Sequence, residues 1–298
     1  MSIIPKKLAF FYGYMSLINS ASGNIPAAVA AFSAYDQVVI GAGLEDPSHP
    51  DHANAVSIIN DPAMVNTEVF GYVTATASLN VIQGKIDQIY NMGCKGVFVD
   101  ESGFDYNVTR EKQREIVWCI HEKGSNTLKV FMNAWNPDDV FSPAVHATCN
   151  PNGLPTRLGA NDSYLAESFA VINGAYDDAD SDANNIKDWQ DKAAKMATYH
   201  TTFGTKMCAV ATNGSGSFDQ NKADYSYYAA TLNNFYSWGY GEEFYSASSC
   251  NMPFRTRKSF YGNRFDSAVT IVGNVYERRT NIGIHLDTSA HTVDILLA

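Results

Sequence analysis

Short runs of apolar residues recur along this chain roughly every 30 to 40 residues. We predict a β-strand at each of eight runs, at 8–14, 37–42, 68–73, 96–100, 129–133, 163–167, 206–211 and 243–247. Most of these runs are apolar on both faces, as strands are when a parallel sheet is covered on both sides. The pattern therefore favours an α/β protein with largely buried strands.

Helical periodicity separates several of these predicted strands. Leu79, Ile82 and Ile86 recur at spacings of three and four residues after Ser78, which can cap the helix. Comparable stripes are present at 110–124, 186–196 and 228–239. The helices after strands two and five are only weakly marked by the sequence.

Strand and helix alternating eight times is the order expected of a (β/α)8 TIM barrel. A doubly wound open sheet is the alternative, but the segment "GAGLED" at 41–46 lacks the third glycine and the following helix of a nucleotide-binding loop. Beyond residue 250 the chain changes to short β-like runs separated by turn residues. We therefore predict a barrel at 1–250 and an antiparallel β appendage at 251–298.

The predicted appendage has an apolar face that a small meander cannot bury by itself. This face consists of Val269, Ile271, Ile282, Ile284, Val293 and Ile295. Because eight strands already close the barrel, we expect this face to contact another subunit, in a homo-oligomer, or an assembly partner. Packing against the helices of the barrel is the alternative.

Composition and charge narrow the classes of function. The chain has 298 residues, of which 45% are hydrophobic, and a formal net charge of −10. A nucleic-acid partner is excluded because its phosphate backbone would mostly meet repulsion. The start of the chain imitates a signal peptide, but its apolar run is short and polar "SLINS" follows, so we predict no export signal. We also predict no membrane span, since no run approaches about 20 apolar residues.

The cysteine and histidine patterns predict neither a metal site nor a cofactor. Five cysteines lie far apart and are odd in number, which favours reduced thiols. The segment "HPDH" at 49–52 could hold a metal ion, but two histidines and an aspartate in a proline loop are more typical of turn chemistry.

Acidic and amide residues follow the predicted strands four to seven. Asp100 ends strand four, Asn133 ends strand five, Glu167 ends strand six and Asn213 follows strand seven. In a parallel barrel the carboxyl ends of all strands meet at one mouth. Two carboxylates across such a mouth can cleave a glycosidic bond, one as nucleophile or base and the other as acid. Asp100 and Glu167 are therefore the candidate catalytic residues.

Each of these residues also has a structural explanation. Asp and Asn are common where strands end because they favour turns, whereas an unpaired Glu167 within an apolar run would be costly.

Aromatic and polar residues near the predicted mouth are candidates for binding a carbohydrate. They are Tyr12, Tyr14, Tyr72, Glu101, Asn133, Trp135, Asn213 and Tyr245.

The order of "FGYVTATAS", "MGCKGVFVDESGFDY", "VFMN" and "NDSYLAESF" resembles the endo-alpha-1,4-polygalactosaminidase group of barrel glycosidases. The resemblance covers residues 8–247 in layout and strands three to six in residues. It implies that Asp100 and Glu167 form the catalytic pair, that Asn133 neighbours them, and that the substrate is an amino-sugar polymer. Glu101 and Ser102 depart from the group's pattern, and the appendage has no counterpart in it.

Two functions remain open at this point. The first is a glycoside hydrolase that cleaves a polysaccharide by a two-carboxylate mechanism. The second is a catalytically silent structural or adhesive component of a virion or surface assembly, because a fold does not by itself imply a function. The strand edges of the appendage and the absence of a predicted export signal favour the second function.

Overall fold

A computed structural model describes residues 4–177, 188–257 and 262–296 of the chain. Eight parallel strands form a closed barrel in the order β1-β2-β3-β4-β5-β6-β9-β10. Their bounds are Lys6–Phe11 (β1), Gln37–Ile40 (β2), Glu68–Thr74 (β3), Gly96–Asp100 (β4), Lys129–Asn133 (β5), Ser163–Ala166 (β6), Lys206–Thr212 (β9) and Ser237–Gly241 (β10). The two-residue strands β7 (Val171–Ile172) and β8 (Ala175–Tyr176) form a small hairpin between β6 and β9. The predicted (β/α)8 barrel is confirmed.

Helices lie between the strands, both where the periodicity predicts them and after strands one, two and five, where it does not mark them clearly. They are α1 (Ile25–Phe32), α2 (His52–Ile59), α3 (Leu79–Asn91), α4 (Arg110–Lys123), α5 (Asp138–Phe141), α6 (Trp189–Phe203) and α7 (Gln220–Leu232). Thr109 caps α4 by accepting a hydrogen bond from the Lys112 amide, and Asp188 caps α6 in the same way. The predicted start of the helix before β9, at Ile186, lies outside the described residues.

The prediction for the eighth strand is wrong. We placed it at 243–247, with the preceding helix ending at Gly239, but β10 runs from Ser237 to Gly241 and Glu243–Ser246 is a turn of 3-10 helix. Glycines usually weaken strands, so this segment reads as a turn. Glycine is needed here because a Cβ atom at position 241 would lie 2.7 Å from the Tyr245 ring.

The strand register arranges the inward-facing side chains in layers of four from alternate strands. The lowest layer, at the amino ends of the strands, consists of Lys6, Glu68, Lys129 and Lys206. Apolar layers fill the middle, with Leu8, Phe70, Phe131 and Cys208 and then Val39, Phe98 and Leu165. The uppermost even-strand layer contains Gly41, Asp100, Glu167 and Gly241. Charged groups therefore occupy the two ends of an apolar interior.

The sequence stretch at 49–52 is a turn held by the protein itself. The buried Asp51 carboxylate accepts hydrogen bonds from the Ser16 amide (3.0 Å) and from Asn54 Nδ2 (2.8 Å). His52 Nδ1 lies 2.8 Å from the Leu44 carbonyl oxygen. All five cysteines are free thiols. Within the described ranges, no helix has the length and apolar character needed to cross a membrane.

The C-terminal segment forms an antiparallel sheet that packs on the barrel. Its strands are β11 (Thr270–Val272), β12 (Val275–Arg278), β13 (Ile284–Asp287) and β14 (Thr292–Ile295), in that order. Ile284 and Leu286 of β13 are fully buried in the main hydrophobic core, where β13 and β14 meet α7. Arg278 donates a hydrogen bond of 2.9 Å to the Leu232 carbonyl at the end of α7.

This packing corrects the reasoning behind our expectation of a free apolar face. Ile284 contacts the barrel's own helices, which is the alternative that the sequence left open. Ile271 and Val272 of the edge strand β11 stay exposed, at 58% and 78% of their surface. The alternation along β13 was read correctly, but periodicity does not identify the partner of an apolar face.

We predict that the appendage contributes to the stability of the monomer. Leu286→Ala should lower the free energy of unfolding by about 2 to 5 kcal/mol, because it removes fully buried methyl groups. Val272→Ala, at an exposed position of the same sheet, should change it by less than about 0.5 kcal/mol. Urea unfolding at several protein concentrations checks both values. A small effect of Leu286→Ala that appears only at high concentration would show that the sheet is stabilised between chains instead.

Candidate active site at the carboxyl ends of the strands

Asp100 and Glu167 lie in one layer at the carboxyl end of the barrel. Asp100 is the last residue of β4, and Glu167 follows Ala166, the last residue of β6. Both side chains point into the barrel because they continue the inward alternation of Phe98 and Leu165. The structure therefore brings together the two carboxylates that the sequence predicts as a pair.

A single amide group separates the two carboxylates. Asn133 Nδ2, at the end of β5, donates 2.8 Å hydrogen bonds to Asp100 Oδ1 and to Glu167 Oε2. Because both oxygens bond to the same nitrogen, their separation cannot exceed twice the length of one such hydrogen bond. Strand five lies between strands four and six in the barrel, which places the amide between the two acids.

Two tyrosines donate to the remaining oxygens of the pair. The Tyr72 hydroxyl is 3.0 Å from Asp100 Oδ2, and the Tyr245 hydroxyl is 2.6 Å from Glu167 Oε1. Burial, followed by the charges of the carboxylates, raises the pKa of both phenols. The phenols therefore stay protonated and act as hydrogen-bond donors. The Tyr12 ring lies between them, with its centroid 5.5 Å from each of the other two ring centroids.

Glycines opposite the carboxylates make room for the tyrosine rings. A Cβ atom at Gly41 would lie 2.7 Å from the Tyr12 ring, and one at Gly241 would lie 2.7 Å from the Tyr245 ring. The same layer thus has a carboxylate at the ends of β4 and β6. At the ends of β2 and β10 it has a glycine, which has no side chain. The two tyrosine rings therefore fill the space that side chains at positions 41 and 241 would need.

Burial and like charge determine the electrostatics of Asp100. Burial, followed by the negative charge of Glu167, raises the pKa of the Asp100 carboxyl above its usual range. The hydrogen bonds from Asn133, from the Glu101 amide and from Tyr72 oppose this shift. The nearby Glu167 carboxylate therefore makes ionisation of Asp100 less favourable than in water.

Two cavities meet at Glu167. One, of about 300 Å³, is lined by Asp100, Glu101, Asp105, Tyr106, Asn133, Ala134, Trp135 and Glu167. The other, of about 870 Å³, is lined by Tyr12, Glu167, Ser168, Asn173, Thr212, Asn213, Gly214, Ser215, Glu242, Glu243, Tyr245 and Ala247. Together they form a groove across the mouth that is large enough for several sugar rings on the usual scale of ligand pockets.

Other predicted residues lie in or near this groove. Glu101 has a left-handed backbone (φ 54°), and its carboxylate accepts hydrogen bonds from Thr74 and Thr76. Asn213 lines the larger cavity, donates to the Gly216 carbonyl and accepts a 2.8 Å hydrogen bond from the Tyr240 hydroxyl. Neither residue bonds to the carboxylate pair through its side chain.

Tyr14 does not line either cavity. It is 38% exposed, and its ring packs edge-on against His49 with the centroids 4.9 Å apart. The chain turns after Gly13 into a 3-10 helix that begins at Met15, so Tyr14 no longer follows the inward alternation of β1. Alternation alone had suggested that Tyr14 would follow Tyr12 into the mouth.

Trp135 lines the smaller cavity above a buried lysine that the sequence analysis missed. Lys192 of α6 is only 2% exposed, and its ammonium lies 3.5 Å from the centre of the Trp135 ring. Lys192 Nζ also lies 3.5 Å from the backbone oxygen of Glu167. A lysine within an amphipathic helix usually points to solvent, so periodicity carried no signal for this position.

Glu242 and Glu243 were also missed, because the eighth strand was predicted at 243–247 and not at 237–241. They follow the true β10 and line the larger cavity. Glu242 forms an ion pair with Arg255 at 2.6 Å. A correct reading of the strand at 237–241 would have placed both carboxylates at the mouth.

Comparisons with known proteins find structural likeness without sequence likeness. No protein-family model matches the sequence, and no curated protein matches it. Solved structures that are similar include a chitinase from Chromobacterium violaceum ATCC 12472, at 17% identity over 70% of this chain and 68% of that chain, with a TM-score of 0.41. A GH99 endo-alpha-mannosidase from Bacteroides thetaiotaomicron is 10% identical over 79% and 82% of the two chains, with a TM-score of 0.48. The YdjI aldolase from Escherichia coli K12 is 13% identical over 80% and 76%, with a TM-score of 0.44.

We predict that the carboxylate pair costs stability at neutral pH. The raised pKa of Asp100 means that the folded chain binds this proton more tightly than the unfolded chain, so stability falls as the pH rises through that range. Asp100→Asn should therefore raise the melting temperature at pH 7 by about 2 to 4 °C, the shift that about 1 kcal/mol produces.

The gain from Asp100→Asn should shrink as the pH falls through the raised pKa of Asp100 toward the ordinary value of 3.8, below which the carboxyl is protonated in both the folded and the unfolded chain. Calorimetry between pH 4 and pH 8 measures it. Glu122→Gln, on the exposed side of α4, is the matched control. A gain that is independent of pH, or equal in the control, would contradict the proposed repulsion.

Proposed function

We propose that this protein is a glycoside hydrolase that cleaves a polysaccharide with Asp100 and Glu167 as its catalytic pair. The observation that carries the proposal is the Asn133 amide, which bonds to both carboxylates at 2.8 Å through one nitrogen. Retaining glycosidases place their carboxyl groups about 5 to 5.5 Å apart, and inverting enzymes about 6.5 to 9.5 Å apart. The two oxygens that share this nitrogen lie no farther apart than twice 2.8 Å, and the amide occupies the space between the acids where an inverting enzyme holds its water, which supports a retaining mechanism.

The two cavities support a role for each acid. Glu167 lines both cavities, so it can reach the oxygen that joins two sugars lying on either side. We assign Glu167 as the acid that protonates this leaving-group oxygen and later as the base that activates water. Asp100 receives three hydrogen bonds that orient its carboxylate, and it acts as the nucleophile.

The charge of the groove supports an amino-sugar polymer as the substrate. Among the described residues that line it are six carboxylates and no lysine or arginine, and the acids are Asp100, Glu101, Asp105, Glu167, Glu242 and Glu243. A glycan with free amino groups is cationic, and such a groove attracts it. Trp135 and Tyr106 line the smaller cavity and offer the flat surfaces on which sugar rings stack.

Catalysis is tested with isosteric variants of the two acids. Glu167→Gln should lower polymer cleavage by about 10² to 10⁴ but retain the initial burst of phenol release from an aryl glycoside whose leaving group needs no protonation, because only the later hydrolysis of the intermediate needs the base. Asp100→Asn should abolish both reactions, because no covalent intermediate can form. Reducing-end release and phenol release measure the two reactions.

Glu122→Gln serves as the control and should leave both rates unchanged, since Glu122 lies on the exposed side of α4. Full activity of Asp100→Asn would remove Asp100 from the mechanism. If the wild-type chain binds glycans and cleaves none across a panel of amino-sugar and neutral polymers, the silent structural component is the better description.

The charge argument is tested separately from the chemistry. A deacetylated polymer should be cleaved with a lower KM than its fully N-acetylated form, and the difference should decrease at high salt because exposed charges are screened. Glu243→Gln, an exposed position lining the larger cavity, should raise KM for the deacetylated polymer several-fold with little change in kcat. A preference for the acetylated polymer that is insensitive to salt would contradict the cationic substrate while leaving the hydrolase intact.

A further inference from the structure

The opposite end of the barrel contains an excess of positive charge. Lys6, Glu68, Lys129 and Lys206 are the first residues of β1, β3, β5 and β9, so the register places them in one inward-facing layer. Glu68 pairs with Lys129 and accepts a hydrogen bond from Gln37. The layer therefore has three ammonium groups around a single carboxylate, in a protein whose net charge is −10.

Two of these lysines line a cavity. The cavity measures about 360 Å³ and is lined by Ile4, Lys6, Ala160, His200, Gly204, Lys206, Met207, Asn234, Phe235 and Tyr236. The ammonium groups of Lys6 and Lys206 lie 4.9 Å and 5.1 Å from the centre of the Tyr236 ring. Both amines thus stand beside the same aromatic ring at the rim of a mainly apolar space.

The charges around the cavity are unevenly compensated. Burial alone would raise the pKa of Glu68, but the hydrogen bond and charge of Lys129, followed by Lys206 and Lys6, hold it below its usual range. Glu68 is therefore ionised and already engaged by Lys129. Burial, followed by the charge of Lys129, lowers the pKa of Lys206. An additional anion beside Lys206 would stabilise its ammonium and so offset both the burial and the charge of Lys129.

Lys206 retains capacity to bind such an anion. Its ammonium donates one long hydrogen bond, 3.4 Å, to the Asn161 carbonyl, whereas an ammonium has three donors. Lys6 is exposed, and a hydrogen bond to Tyr236 holds its ammonium beside the cavity. The aliphatic and aromatic lining suits an apolar body, and the two amines suit a charged group at its end.

We propose that this cavity binds a small organic anion, a carboxylate or a phosphate ester, whose apolar body fills the cavity while its charged group lies between Lys6 and Lys206. The site is at the amino ends of the strands, away from Asp100 and Glu167, and it does not depend on the proposed hydrolase activity. It would make the two ends of the barrel complementary in charge preference, with cations favoured at one mouth and anions at the other.

Isothermal titration at constant ionic strength tests the proposal. The probes are benzoate, phenyl phosphate and inorganic phosphate, and the protein is the full chain. One of the two aromatic anions should bind at a single site with a Kd of about 1 mM or lower, and the stronger of the two identifies the charged group. Inorganic phosphate should bind at least about tenfold more weakly, because it has no apolar body to bury.

Variants locate the site. Lys206→Met and Lys6→Met should each weaken binding of the better probe about tenfold or more, whereas Lys95→Met should not. Lys95 is an exposed lysine next to β4 at the same end of the barrel and outside this layer. Melting curves identify a variant that does not fold. If Lys206→Met does not fold, the binding of the better probe to Lys6→Met decides, because Lys6 is exposed.

Three results would overturn the proposal. They are the absence of saturable binding by either aromatic anion, equal binding of inorganic phosphate, and an equal loss of binding in Lys95→Met. The last two would show that positive charge in general, and not this cavity, attracts the anions.

Discussion

Repulsion between Asp100 and Glu167 is the constraint around which the mouth of the barrel is built. Two carboxylates that share one amide nitrogen, both largely removed from water, need donors on nearly every oxygen. Asn133 supplies two of these hydrogen bonds, and Tyr72, Tyr245 and the Glu101 amide supply one each. The barrel register makes this arrangement geometrically available, because strand five always lies between strands four and six.

The same register explains why charge is found only at the ends of the described interior. Phenylalanines and aliphatic residues fill the middle layers, where an ion could reach neither water nor a partner. The carboxyl end carries the acids and the amino end carries Lys6, Lys129 and Lys206, so the two mouths have opposite charge. One alternating pattern along each strand thus determines both the core and the chemistry at its two openings.

Much of this arrangement can be predicted from the sequence. Seven of the eight barrel strands and the positions of Asp100, Asn133 and Glu167 follow from apolar runs that end in polar residues. The eighth strand could not be read because Gly239 and Gly241 are required by close packing, which local propensity does not register. Tyr14 was misjudged because a turn after Gly13 ends the alternation of β1, and Lys192 was missed because a buried cation–ring contact overrides helical periodicity. The packing of the appendage could not be predicted because it depends on α7, and the helix face that β13 and β14 cover cannot be identified from either segment alone.

The stereochemistry of the first cleavage product tests the central claim most directly. Proton NMR, recorded within the first minutes of reaction on a responsive glycan, reports the anomeric configuration before mutarotation. A carboxylate pair joined through the Asn133 amide predicts retention of configuration, by way of a covalent intermediate on Asp100. Inversion would require room for a water molecule between the acids and would contradict this account of the site.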